Sequence, residues 1–147
     1  MEAARVRVLR ILVVEDDPNR VRKFKSWIPD DVWLVWARNA GQALGILHRD
    51  AANTYAGAML DFDLDKQLYA PEGTCRTGGD VARQIAQHFS PDVQILVHSM
   101  NPSERGQIVT VLAEQGFSVT QIPYRDLSKE RLVAWLDEVR DNFEPED

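Results

Sequence analysis

Cysteine is almost absent. Cys75 is the only one in 147 residues, so an internal disulfide is excluded, and no Cys/His pair stands at metal-ligand spacing. That usage suits a reducing compartment, and Cys75 itself reads as a loop thiol without a task. Long apolar runs are missing as well. Ile11-Leu12-Val13-Val14 stops at acids, far short of the roughly 18 apolar residues of a membrane span, and Met1-Glu2-Ala3-Ala4-Arg5 begins no signal peptide. A cytoplasmic location is expected. Basic charge is in deficit: 17 Lys and Arg against 23 Asp and Glu give a net charge of −6, which argues against binding duplex nucleic acid or an anionic membrane. Repeats, low-complexity tracts and an interdomain linker are also lacking, so one domain is expected, with its core over about residues 7–143.

What the sequence does contain is organised around Ala58-Met59-Leu60-Asp61-Phe62-Asp63-Leu64-Asp65. Carboxylates at every second position follow an apolar run, and on an extended strand such a spacing points them to one face. A short apolar run bounded by charge is the pattern of a buried central parallel strand, and in open α/β sheets the chemistry lies beyond the carboxyl ends of such strands.

Four further strands fit the same pattern: Ile11–Val14, ending in Glu15-Asp16-Asp17-Pro18; Val32–Ala37, apolar on both faces, with Trp33 and Trp36 assigned to the core; Val93–Val97, followed by His98-Ser99-Met100; and Phe117–Ile122, ending at Pro123. Helices alternate with them. Asp17 reads as an N-cap with Pro18 at the first helical position; Val21, Phe24 and Ile28 face inward and Arg20, Arg22, Lys23 and Lys25 outward. Asn39 with Gln42 forms a capping box before a stripe of Ala43, Leu44, Leu47 and Ala51. Gly78-Gly79-Asp80 opens a third helix carrying Val81, Ala82, Ile85 and Phe89. Asn101-Pro102-Ser103-Glu104 starts a fourth that Gly116 closes, and Lys129–Asn142 is the last. The segment from Asp63 to Thr77 exceeds the usual connection of about 2–6 residues and is expected to be a loop at the active edge.

Five strands alternating with five helices predict an α/β fold, a flavodoxin-like (βα)5 doubly wound parallel sheet with strand order 2-1-3-4-5. Its switch point between the first and third strands brings Asp16 and Asp61 together. Glu15, Asp16, Asp17, Asp61 and Asp63 crowd that pocket, and like charges a few ångströms apart need a cation among them. A hard divalent ion, Mg2+, is implied, with Asp16 and Asp61 as its expected ligands and open positions for phosphate oxygens. His98 ends the neighbouring strand, where an imidazole can move protons at neutral pH; a purely structural histidine fits the same place. Ser99 and Asn101 are candidates for hydrogen bonds to phosphate oxygens, helped by the helix start after Asn101.

These residues resemble the CheY-like receiver domains of two-component response regulators over nearly the whole chain. The matching motifs are ILVVEDDP at Ile11–Pro18, LDFDL at Leu60–Leu64 and Ser99 after the fourth strand. The resemblance implies that Glu15 and Asp16 help bind Mg2+, that Asp61 is the phosphoacceptor and that Ser99 is the switch hydroxyl. Receivers usually carry lysine before the proline after the fifth strand. Here Ile122 stands there, with Arg125 the nearest basic substitute, and the loop after Asp61 is about ten residues longer than usual.

His98 in HSMNP, with the extra Asp63, is most similar to the divergent cyclic-phosphate processing receiver domains. That resemblance implies action on a cyclic phosphate, a phosphodiester at a nucleotide or RNA end, with Asp61, His98 and Asp63 as catalytic residues, Ser99 and Asn101 binding phosphate, and Glu15, Asp16 and Asp61 holding the metal. Two other classes stay open. One is a stand-alone phosphoacceptor in a phosphorelay, the other a non-catalytic pseudo-receiver. The expected partners are a small phosphate-containing ligand or a separate signalling protein, no output domain following Asp147; a homodimer is compatible with either.

Overall fold

The computed structural model describes residues 8–61 and 78–143. Its elements follow in the order β1 (Leu9–Val14), α1 (Pro18–Trp27), β2 (Val32–Ala37), α2 (Ala40–Arg49), β3 (Gly57–Leu60), α3 (Gly78–His88), β4 (Gln94–Val97), α4 (Pro102–Glu114), β5 (Val119–Gln121), a short 3-10 turn over Tyr124–Asp126, and α5 (Lys129–Asn142). All pairings are parallel and the strand order is 2-1-3-4-5, as the alternating pattern predicts. Asp63, Asp65, Cys75 and the long loop expected between residues 63 and 77 lie outside the described residues.

Side-chain alternation along the strands divides the core into two layers. Leu12, Val14, Ala58, Leu60, Ile95 and Val97 face α2, α3 and α4. Ile11, Val13, Met59 and Leu96 face the other way, onto Phe24 of α1 and Leu132, Trp135, Leu136 and Val139 of α5. Every residue of β3 and β4 is buried, which is why β3 reads as a plain apolar run and β4 does so after Gln94. Gly57 is closely approached from β4 and α5: a Cβ there would lie 3.0 Å from the Gln94 carbonyl oxygen and 3.1 Å from Cη2 of Trp135.

Capping follows the sequence. The side chain of Asp17 accepts from the Asn19 N–H, that of Asn39 from Gln42 and that of Asn101 from both Ser103 and Glu104. Gly116 has φ +89°, the left-handed conformation expected after a helix. Three expectations change. Trp33 is 55% exposed, because β2 is an edge strand: Trp33 pairs in register with the exposed Arg10, whose guanidinium stacks 5.6 Å from the indole centroid. Ala51 lies past the end of α2 and is exposed. Arg20, assigned to the outer face of α1, is half-buried and reaches over the carboxyl edge of the sheet.

Candidate functional site

The ladder extends one residue past the carboxyl ends of the central strands. Glu15 N–H donates to Ala37, Asp61 N–H to Val14, His98 N–H to Leu60 and Ile122 N–H to Val97. Because Val14, Leu60 and Val97 are in register, the residues that follow them, Glu15, Asp61 and His98, form one row across three adjacent strands. Adjacent strands lie about 4.8 Å apart, and all three side chains point to the α1/α5 face. One donor atom from each lies within 4.8 Å of the others. The first and third strands meet here as expected of the switch point, but the acid of the first strand in this group is Glu15, not Asp16.

The row is graded in depth. Glu15 and His98 have no exposed side-chain surface, Asp61 is 10% exposed and Arg20, above it, 26%. His98 Nε2 lies 3.1 Å from Glu15 Oε1, and the Phe24 ring packs edge-on against the imidazole at 5.2 Å. Its other nitrogen, Nδ1, is buried and finds no hydrogen-bond partner among the described residues. The Glu15 carboxylate also accepts from the Asp17 N–H at 3.1 Å, while the Glu15 carbonyl accepts from the Trp36 indole at 2.7 Å.

Taking charge out of water dominates the titration of all three. Burial pushes the Glu15 carboxyl up to about 7, a hydrogen bond with Asp16 acting the same way against the Asp17 N–H and Arg20. Burial also pushes Asp61 up to about 6, with the Glu15 charge adding and His98 and Arg20 opposing. It pushes His98 down to about 4, so the imidazole is neutral at pH 7.

Arg20 is the residue that sequence reading did not assign to the site. Its Nη1 donates to Asp61 Oδ2 at 2.8 Å and lies 3.6 Å from Glu15 Oε1. Its guanidinium carbon sits 4.3 Å from the Tyr124 ring centroid, and its Nε is 3.9 Å from Asp17 Oδ2. A cation in the first turn of α1, five residues beyond Glu15, was the signal available. Arg125 points to solvent, 73% exposed beside Asp126, and Ile122, next to His98 in the row, packs against the α1/α5 layer.

Asp16 is half-buried beside Glu15 and outside the Glu15, Asp61, His98 group. Ser99 is buried one residue beyond His98; its hydroxyl accepts from the Asn101 N–H at 3.2 Å and its carbonyl from Arg105 at 2.9 Å. Asn101 is exposed, with its amide oxygen committed to capping α4.

A parallel sheet of this order with an acidic row at its carboxyl edge defines a CheY-like receiver domain. The fold is similar to a CheY-like response regulator receiver domain protein from Methanospirillum hungatei, at 14% identity and TM-score 0.64 over 92% of this chain and 96% of that one. It is also similar to the signal receiver domain of an HD domain-containing protein from Pseudomonas fluorescens (17%, 0.67, covering 92% and 98%) and to a sensor protein from Polaromonas (24%, 0.62, covering 92% and 98%). Residues 10–114 match the family described as Cyclic-phosphate processing Receiver domain, and the chain belongs to that family. No curated protein matches the sequence. Among the described residues, no helix is long and apolar enough to cross a membrane.

Proposed function

We propose that this receiver domain binds a cyclic phosphate, a phosphodiester at a nucleotide or RNA end, together with Mg2+ at the carboxyl edge of its sheet, and opens it by hydrolysis. The observation that carries this reading is the buried, neutral His98 set in register with Asp61, its Nδ1 without a partner among the described residues. The family's description supports the ligand class.

The donor set fits a hard cation. Glu15 and Asp61 offer carboxylate oxygens, both are held above the usual carboxylate range, and a guanidinium has been drawn into the space between them. Glu15, Asp16 and Asp61 would hold Mg2+, which prefers oxygen ligands and leaves the imidazole nitrogen free. When bound, the ion supplies positive charge to the phosphate oxygens.

The protein's own groups then handle the proton. Water attacks phosphorus, the bond to one ribose oxygen breaks, that oxygen takes a proton, and a phosphomonoester remains. His98, held by its hydrogen bond to Glu15, is the group that takes a proton from the attacking water and returns one to the leaving oxygen. Asp61 is the member nearest solvent and orients the ligand. Ser99 completes the phosphate contacts, and Asp63 and Asn101 remain candidates for orienting the histidine and the phosphate.

The test is hydrolysis of 2′,3′-cyclic nucleotides and cyclic-ended RNA by purified protein with Mg2+. Asp61→Asn and His98→Ala should each lower the rate by at least about 100-fold, within the usual contribution of a positioned acid or base, while His98→Ala keeps its Mg2+ binding. Formation of acid-labile phosphate on Asp61 from a small phosphodonor, without turnover, would establish a phosphoacceptor instead. Failure of Mg2+ to bind at all would leave a pseudo-receiver that works through a protein partner.

A further inference from the structure

Arg20 occupies the gap that a cation at this site must enter. We infer that its guanidinium is a built-in counter-ion, exchanged for the divalent metal and then turned to the incoming phosphate, so that α1 supplies the basic group missing from position 122. The inference rests on the proposed metal and phosphate site and assigns its phosphate-recognising residue.

Three contacts carry it. First, Nη1 lies 2.8 Å from Asp61 Oδ2 and 3.6 Å from Glu15 Oε1, bridging two of the three groups whose donor atoms cluster within 4.8 Å. A metal drawing on both carboxylates and this guanidinium compete for the same oxygens. Second, the guanidinium has other supports: the Tyr124 ring 4.3 Å from its central carbon and Asp17 Oδ2 at 3.9 Å from Nε. Leaving Asp61 therefore does not return it to bulk water, and an arginine stacked on an aromatic face keeps its in-plane donors available. Third, among the described residues nothing else cationic serves the row: Ile122 is apolar and Arg125 is solvent-facing. A planar fork of donors suits a phosphate better than an ammonium does, and a residue that holds the carboxylates until a metal arrives favours ligands that bring phosphate and divalent cation together.

The experiment measures binding without turnover: MgCl2 titrations, and inorganic phosphate titrations at saturating Mg2+, followed by calorimetry and by tryptophan fluorescence, Trp36 being bonded to the Glu15 carbonyl. Arg20→Ala should tighten Mg2+ and weaken phosphate, each by about tenfold. Arg22→Ala, which removes the same charge from the exposed face of α1, should move either by less than about twofold. Tyr124→Leu leaves every charge in place and should weaken phosphate several-fold with Mg2+ nearly unchanged. Circular dichroism checks that each variant is folded. Unchanged affinities in Arg20→Ala, or equal shifts in Arg22→Ala, overturn the inference even if cyclic phosphates are hydrolysed. These shifts in the variants, with no hydrolysis by wild-type protein, overturn the proposed reaction and leave Arg20 its role. Absence of Mg2+ binding in both wild type and Arg20→Ala overturns both.

Discussion

Glu15 is an acid without access to water, and its environment reverses the usual relation between a carboxylate and stability. Its folded pKa of about 7 exceeds the ordinary 4.5, so the folded state holds a proton that the unfolded chain has released. Its contribution is fully present below pH 4.5 and is lost as pH rises to 7. Asp61, raised from 3.8 to about 6, acts in the same direction; His98, lowered from 6.5 to about 4, opposes both, contributing above 6.5 and losing as pH falls to 4. Substituting one group separates these effects. In EDTA, Glu15→Gln should match wild type near pH 5 and become progressively more stable than it toward pH 8, in urea denaturation at several pH values. A gap that narrows with rising pH would contradict the assignment of a buried, protonated Glu15. The acids and His98 were legible as residues because charges ending apolar strands stand out. Their titration was not, because it depends on depth beneath α1. Arg20 was missed for a related reason: helical periodicity gives the direction of a Cα–Cβ bond, whereas a long side chain can turn back over the end of the sheet.

At the scale of elements, the strands and helices were placed to within a residue or two wherever a cap or an apolar run marks the boundary. Val32–Ala37 and Lys129–Asn142 have the bounds read from sequence, while β3 begins one residue earlier, at Gly57, and β5 is trimmed to Val119–Gln121. Trp33 went wrong because an edge strand and a central strand of a parallel sheet carry similar sequences, and only the neighbours determine which face is covered. At Gly57, β3 leaves no room toward α5 and β4. Gly57→Ala should destabilise the fold by about 1–3 kcal/mol, the range for overpacking a close-packed interior, because its methyl group meets the Gln94 carbonyl oxygen and Trp135 at 3.0–3.1 Å. Chemical denaturation measures this directly, and a neutral result would mean that α5 can move away from the sheet. Since α5 and α1 pack together on the side of the sheet that carries the site, a shift there should also disturb the seat of Arg20 on Tyr124.

For the whole molecule, the acidic edge makes stability depend on cation supply. Anything that binds only the folded state stabilises it by RT ln(1 + [L]/Kd), about 1.4 kcal/mol at ten times Kd, or roughly 4–5 °C in the melting midpoint of a domain of this size. Mg2+ should raise the midpoint of wild-type protein by about that amount at pH 7.5 and less at pH 5.5, where Glu15 and Asp61 hold their protons, and should do little for Asp61→Asn. Equal stabilisation of the variant would place the cation elsewhere.

The sequence by itself determined the class of fold, the strand order and the acids at the carboxyl edge. Alternating strand and helix periods, together with right-handed crossovers, leave few ways to assemble five βα units. Only the tertiary structure decided that Glu15, Asp61 and His98 stand in one row and that the His98 imidazole meets the Glu15 carboxyl. The same holds for Arg20 closing the row. Those relations arise from inter-strand register and from side chains reaching between elements, and neither is written in the spacing of residues along one strand or one helix.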